Sequence, residues 1–316
     1  MPALTRLADA LLDRAVVPGY SKLGPALRRR WWPSGPVPGA LIGKRVLVTG
    51  ATSGIGTAIA EGLLDLGATV HVLGRNRAKT EDLVARLERE RPGARLVAEV
   101  CDVGDLDVVR AWAEDFTGRV DELHGLVHNA GALPAQRSET AQGHELTLAV
   151  HVLGPHLMTA LLADTLAPDA AVVWMSSGGM YGAGLRDDDL EFTVGEYSGV
   201  RAYARTKRMQ VVLAAEWAHR LPGTHVYSTH PGWVATDGVT ASIPGFGKVM
   251  APLLRTPADG ADTTVWLLAT RPASRSPHFW HDRAQRPSTL GWERGQDPAA
   301  VRRFLDQVAA ATDVPG

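Results

Sequence analysis

Tyr203-Ala204-Arg205-Thr206-Lys207 sets a phenol and an ammonium four residues apart, so on a helix the two side chains share one face. A neighbouring cation stabilises phenolate, lowers the tyrosine pKa and suits the phenol to exchanging a proton with a substrate oxygen. Upstream, Val172-Val173-Trp174-Met175 reads as a strand that ends in Ser176-Ser177-Gly178-Gly179. Ser177 there can hydrogen-bond a reacting carbonyl or alcohol and orient it, while Ser176 reads as a cap. No serine stands in a G-x-S-x-G elbow, which argues against a hydrolase triad.

A second group lies nearer the amino end. Arg45-Val46-Leu47-Val48-Thr49 reads as a strand, and Gly50-Ala51-Thr52-Ser53-Gly54-Ile55-Gly56 follows it ahead of a helical run. Glycines permit a tight turn and close ligand approach, and the unpaired N–H groups of a helix start attract a pyrophosphate. The spacing, with Gly50, Gly54 and Gly56, differs from the G-x-G-x-x-G fingerprint. After the second strand, Val72-Leu73 leads into Gly74-Arg75-Asn76-Arg77, with no acid to receive a ribose 2′-hydroxyl. Arg75 can pair with a 2′-phosphate and stack on adenine. NADP(H) is therefore expected, with NAD(H) the lesser candidate.

These groups need a scaffold that brings strand ends together. Strands are expected near 45 to 49, 69 to 73, 95 to 100, 123 to 128, 171 to 176 and 224 to 229. Helices are expected near 54 to 66, 77 to 90, 105 to 116, 139 to 166, 201 to 220 and 258 to 269. Such alternation predicts an α/β fold: a doubly wound, Rossmann-type, mostly parallel sheet with helices on both faces. Ligands of such sheets sit at the carboxyl ends of the strands. Residues 41–316 are expected to form that single domain, behind a leader at residues 1–40.

The chain has 316 residues, 45% hydrophobic and 21% charged, with a formal net charge of -1. No basic field is available for nucleic acid, which is excluded as a partner. A lone Cys101 and the lack of cysteine pairs at zinc-ligand spacing point to a reducing compartment and no metal. No stretch reaches the ~20 apolar residues of a membrane span, and Asp9 and Asp13 stand where a secretory signal is acid-free. A cytoplasmic protein is expected. The leader carries an amphipathic run (Leu4, Leu7, Leu11, Leu12) and then Arg28-Arg29-Arg30-Trp31-Trp32. That mixture suits either peripheral contact with a lipid headgroup boundary or packing on the domain or on a second subunit.

Taken in order, Thr49-Gly50-Ala51-Thr52-Ser53-Gly54-Ile55-Gly56, Asn129-Ala130-Gly131, Ser177, Tyr203-x3-Lys207 and Pro231-Gly232 resemble the short-chain dehydrogenase/reductase family. Val127-His128-Asn129-Ala130-Gly131, His230-Pro231-Gly232-Trp233 and Phe279-Trp280-His281-Asp282-Arg283 are similar to its member 12 branch. The resemblance implies that Tyr203 is the proton donor or acceptor, that Lys207 binds the nicotinamide ribose, and that Ser177 holds the substrate oxygen. It further implies cofactor contacts from Asn129, Ala130, Gly131, Asp102, Val103, Pro231, Gly232, Val234 and Thr236. A substrate lid is implied near 236–255, and a homodimer or homotetramer as the assembly. The lid segment's Ile243, Pro244, Phe246, Val249, Met250, Leu253 and Leu254 favour a lipophilic ketone, aldehyde or secondary alcohol.

Two positions depart from the family pattern. His128 replaces the first Asn of Asn-Asn-Ala-Gly, and His151 stands where a catalytic Asn is expected. Pro155 has no N–H to give the carbonyl four residues back, so the His151 carbonyl is expected to be free. The resemblance implies that this oxygen holds a water in a proton relay from the lysine, and the imidazole itself can titrate. The alternative function is a catalytically weak NADP(H)-binding sensor or scaffold.

Overall fold

The computed structural model describes residues 3–235, 250–289 and 296–314. Three short helices, α1 (Ala3–Arg14), α2 (Val16–Tyr20) and α3 (Leu23–Arg28), precede the sheet. Strands and helices then alternate as β1 (Arg45–Thr49), α4 (Gly54–Asp65), β2 (Thr69–Gly74), α5 (Arg77–Glu90), β3 (Arg95–Val100), α6 (Leu106–Arg119) and β4 (Leu123–His128). A broken helix follows: α7 (Leu146–Leu148), a π turn (Ala149–Leu153) and α8 (Gly154–Leu161). The remainder comprises β5 (Leu166–Met175), α9 (Gly199–Arg220), β6 (His225–Thr229), α10 (Pro257–Thr270), β7 (Phe279–His281), β8 (Ala284–Gln285) and α11 (Pro298–Thr312).

The eight strands among the described residues join one sheet in the order β3-β2-β1-β4-β5-β6-β7-β8, parallel except for β8. This is the doubly wound sheet the alternation predicts. The progression reverses between β1 and β4, which opens a crevice at their carboxyl ends. Strand alternation splits the core in two. Leu47, Leu126, Val172 and Trp174 pack against Phe116 of α6, Leu157 of α8, Leu213 of α9 and Phe304 of α11. Val46, Val48, Val127 and Val173 pack on the other face with Ile59 of α4, Leu83 of α5 and Leu267 of α10.

The long helix expected over 139 to 166 is not one helix. Its start waits for Glu145, whose carboxylate accepts the Leu148 N–H at 2.8 Å as the cap. Residues 140–143 form a turn closed by the Thr140 N–H on the His144 carbonyl. Pro155 sits in the first turn of α8 without an N–H to give, and the ladder widens into the π turn just ahead of it. Strand β5 begins at Leu166 rather than 171, with a register shift between its two stretches of pairing and Asp169 at φ +64°.

Residues 3–28 are seated on the carboxyl-terminal strands. Buried Arg28 donates to Asp9 of α1 at 2.8 Å and to Asp282, beside β7, at 2.6 Å. Asp282 also accepts two hydrogen bonds from Arg255, at 2.6 and 3.0 Å. Arg286 returns to Asp9 at 2.6 Å. Burial opposes ionisation of Asp282, but His281, Arg255 and Arg28 hold its carboxyl far below the usual range.

Candidate active site

The turn after β1 is built by close approach of backbone to backbone. Gly50 and Gly54 adopt φ of +63° and +53°. A Cβ on Gly50 would lie 2.7 Å from the Ala130 Cα, and one on Gly56 would lie 2.2 Å from the Gly50 carbonyl oxygen. Asn129, just past β4, locks this approach: its Nδ2 donates to the carbonyls of Thr49 and Gly50 at 3.0 and 3.2 Å. The N–H groups of Asn129 and Ala130 both donate to the Thr49 hydroxyl at 3.0 Å. Ser53 caps α4 without spending its side chain, so the first N–H groups of α4, beside Thr52 and Ile55, face the crevice unpaired within the helix. The room and polarity fit a dinucleotide pyrophosphate.

The adenine side is equally open. Arg75 is exposed at the end of β2, and no described residue pairs with it. Asn76 is spent as the cap of α5, accepting the Lys79 N–H at 3.0 Å. Asp102 accepts the Gly104 N–H at 3.0 Å and so shapes the turn after β3. Val103 is buried, and its carbonyl is so close to α8 that a Cβ on Gly154 would lie 1.8 Å from the oxygen.

Strand β5 and helix α9 deliver the reactive groups. Ser176 donates to the Lys207 carbonyl at 2.7 Å and clamps α9 to the strand end. Ser177 caps the short turn Gly178–Gly182, and its hydroxyl hydrogen-bonds Tyr203. Lys207 places its Nζ 5.3 Å from the centre of the Tyr203 ring and donates to the Met175 carbonyl at 2.7 Å and to Gln210 Oε1 at 3.0 Å. Ser177 and Tyr203 open onto a cavity of about 830 Å³ that Ile55, Gly131, Pro231, Gly232 and Val234 also line. The cofactor turn and the reactive side chains thus meet at one cavity. Thr236 and residues 236–249 of the expected lid lie outside the described residues.

The electrostatics correct the reading from spacing alone. Burial raises the Tyr203 pKa, and the Ser177 bond opposes that rise only in part. Lys207 is itself pushed down to about 7 by burial. In the free protein the phenol therefore keeps its proton more firmly than the four-residue spacing predicts, and it stands protonated at neutral pH.

His151 requires a second correction. Its carbonyl is not free: Gln210 Nε2 donates to it at 2.9 Å. The same amide accepts from Lys207, so Gln210 bridges the ammonium and the carbonyl directly. Both ring nitrogens are also engaged. Nε2 accepts the Ala132 N–H at 3.0 Å, and Nδ1 meets the Thr206 hydroxyl at 2.8 Å. Burial, helped by Lys207, holds the ring neutral well below its ordinary pKa. Its edge-on packing 5.4 Å from Tyr203 makes it a support for that ring. His128 is likewise buried, bonded to the Thr159 hydroxyl at 2.7 Å and packed on Trp174.

Reading the sequence alone missed Gln210, although it lies one helical turn past Lys207. It also missed the cavity walls made by Leu133, Val200 and Trp233. These residues carry no chemical signature.

A family profile described as short chain dehydrogenase matches residues 44–244. Dehydrogenase/reductase SDR family member 12 of Homo sapiens is 36% identical over 245 residues, covering 76% of this chain and 77% of that protein. Retinol dehydrogenase 12 of Homo sapiens is 33% identical, covering 71% and 73%. A short chain dehydrogenase from Burkholderia cenocepacia J2315, solved in complex with NADP, superposes with a TM-score of 0.58 at 25% identity, covering 72% of this chain and 91% of that one. The glycine turn, and the serine and tyrosine on one cavity with the lysine beside the tyrosine, agree with these matches: the chain belongs to the short-chain dehydrogenase/reductase family and is an NAD(P)-dependent oxidoreductase of alcohol and carbonyl groups.

Proposed function

We propose that the protein is an NADP(H)-dependent oxidoreductase interconverting a lipophilic ketone or aldehyde with its alcohol. The observation that carries this reading is that Ser177 and Tyr203, the latter with Lys207 Nζ 5.3 Å from its ring centre, open onto the cavity that Ile55 of the glycine turn also lines. Apolar walls from Leu133, Val200, Trp233 and Val234 support a lipophilic substrate. Exposed Arg75, with no acid beside it at the end of β2, supports NADP(H).

Bound along the crevice, the nicotinamide supplies or takes the hydride. The chain's own residues do the rest. Ser177 donates a hydrogen bond to the substrate oxygen and holds the carbonyl beside Tyr203. Tyr203 gives its phenolic proton to the oxygen as alkoxide character develops, and takes it back in the alcohol-to-ketone direction. Lys207, fixed by Met175 and Gln210, keeps one ammonium hydrogen for the cofactor ribose and stabilises the phenolate left behind. Gln210, His151 and Ser176 position these groups. A homodimer or homotetramer and a cytoplasmic setting belong to the same reading.

Tyr203→Phe tests the mechanism. NADPH affinity is expected to stay within about threefold, while turnover on a panel of ketones and aldehydes drops by about 10²–10⁴. Retained turnover would remove Tyr203 from the chemistry. NADPH binding without turnover in the parent protein would favour the sensor or scaffold.

A further inference from the structure

Helix α1 has its polarity inside out. Its carboxylates turn toward the domain: Asp9 meets Arg28 and Arg286 at 2.8 and 2.6 Å, and Asp13 lies 3.3 Å from Arg286. Three of its four leucines turn outward. Leu4, Leu7 and Leu11, which share a helix face by their spacing, are 82%, 59% and 59% exposed. A surface helix in water has the opposite arrangement. Val16, Val17, Leu23 and Leu27 extend the exposed apolar surface onto α2 and α3.

The exposed charge of residues 1–40 has one sign, with Arg29 also paired to Asp259 of α10 at 2.5 Å. Arg6, Arg14, Lys22, Arg29 and Arg30 are exposed, whereas the only carboxylates of residues 1–40 are the two turned inward. Two copies meeting through such a face would bring like charges together, which disfavours a second copy of the chain as its cover. No helix among the described residues is long and apolar enough to cross a membrane, and α1 rises only ~18 Å. Contact with lipid along this face would lie in the surface plane.

We propose that α1 to α3 dock the protein on a bilayer surface bearing anionic headgroups, with the leucines at the acyl boundary and the cations among the phosphates. The docking face is tied to the cavity wall. Arg28 binds Asp282, Asp282 binds Arg255, and Arg255 donates to the Pro231 carbonyl at 3.3 Å. In parallel, the Trp233 N–H donates to the Tyr20 carbonyl at 2.8 Å. Pro231 and Trp233 line the cavity, so the lipid-facing helices and that wall form one braced unit. Delivery of a lipophilic substrate from the bilayer rests on the function proposed above; the docking does not.

The test is co-sedimentation of the full-length protein with vesicles of phosphatidylcholine mixed with phosphatidylglycerol, and with phosphatidylcholine alone. The protein is expected to bind the mixed vesicles and to leave them as salt is raised. The double variant L7S/L11S, with unchanged circular dichroism, Tm and turnover in vesicle-free buffer, should bind at least about tenfold more weakly. Equal binding by parent and variant would overturn the proposal. So would a dimer in sedimentation velocity that the variant dissociates without any vesicle binding, since that gives the face to a second copy. Vesicle binding with no NADPH turnover would instead remove the function proposed above and leave docking in place.

Discussion

At the scale of single residues, Gln210 is the informative position. Its amide is fully buried and joins the Lys207 ammonium to the His151 carbonyl. Gln210→Leu strands both groups, at a cost of about 1–3 kcal/mol in stability. It also removes an acceptor from an ammonium already held at about 7 by burial, so the lysine should lose its proton at a lower pH. The alkaline limb of the kcat/KM profile is expected to move to lower pH in Gln210→Leu and to higher pH in Gln210→Glu. A merely structural amide would give no such opposed shifts. Arg75→Ala should weaken NADPH binding by about 10–100-fold and leave NADH binding unchanged, as judged by fluorescence titration. Tyr203, Lys207 and Ser177 were legible because their types and spacing carry chemistry. Gln210 was not, because its two partners are fixed only once α9 packs on the π turn and β5.

At the scale of elements, the contact between α8 and the turn after β3 sets the position of His151. Gly154 permits it, since any Cβ would enter the Val103 carbonyl. Gly154→Ala must push α8 off the turn, and is expected to cost about 3 kcal/mol or more and lower Tm by roughly 5–10 °C, read by differential scanning calorimetry. An unchanged Tm would show that α8 shifts freely. The parallel strands and their helices followed from the alternation of apolar runs. The broken helix did not, because its start depends on the side chain of Glu145 and its π turn on the ladder gap at Pro155. Strand β7, three residues long, is also invisible as a periodic pattern and is held by pairing with β6.

At the scale of the whole molecule, burial has made several histidines acid-sensitive. Burial drives His128 down to about 3 and His156 to about 4, and holds His151 and His230 well below their ordinary value. Below pH 6.5 the unfolded chain takes up protons that these folded sites refuse, so their contribution is full above that pH and is lost as pH falls toward the folded values. Each contributes a loss of about 1.4 kcal/mol per pH unit. Tm is therefore expected to drop steeply between pH 6.5 and 5, and a flat profile would contradict the neutral buried rings. The ionic clasp was equally hidden from sequence, since its partners lie 254 and 277 residues apart. That separation bears on how the molecule is made. During synthesis Asp9 and Arg28 emerge long before Asp282 and Arg286, so the first helices wait beside the ribosome with only each other for ionic partners. The last-made strands therefore decide whether the first-made helices find their place. Truncation near the carboxyl end would release the opposite end of the chain.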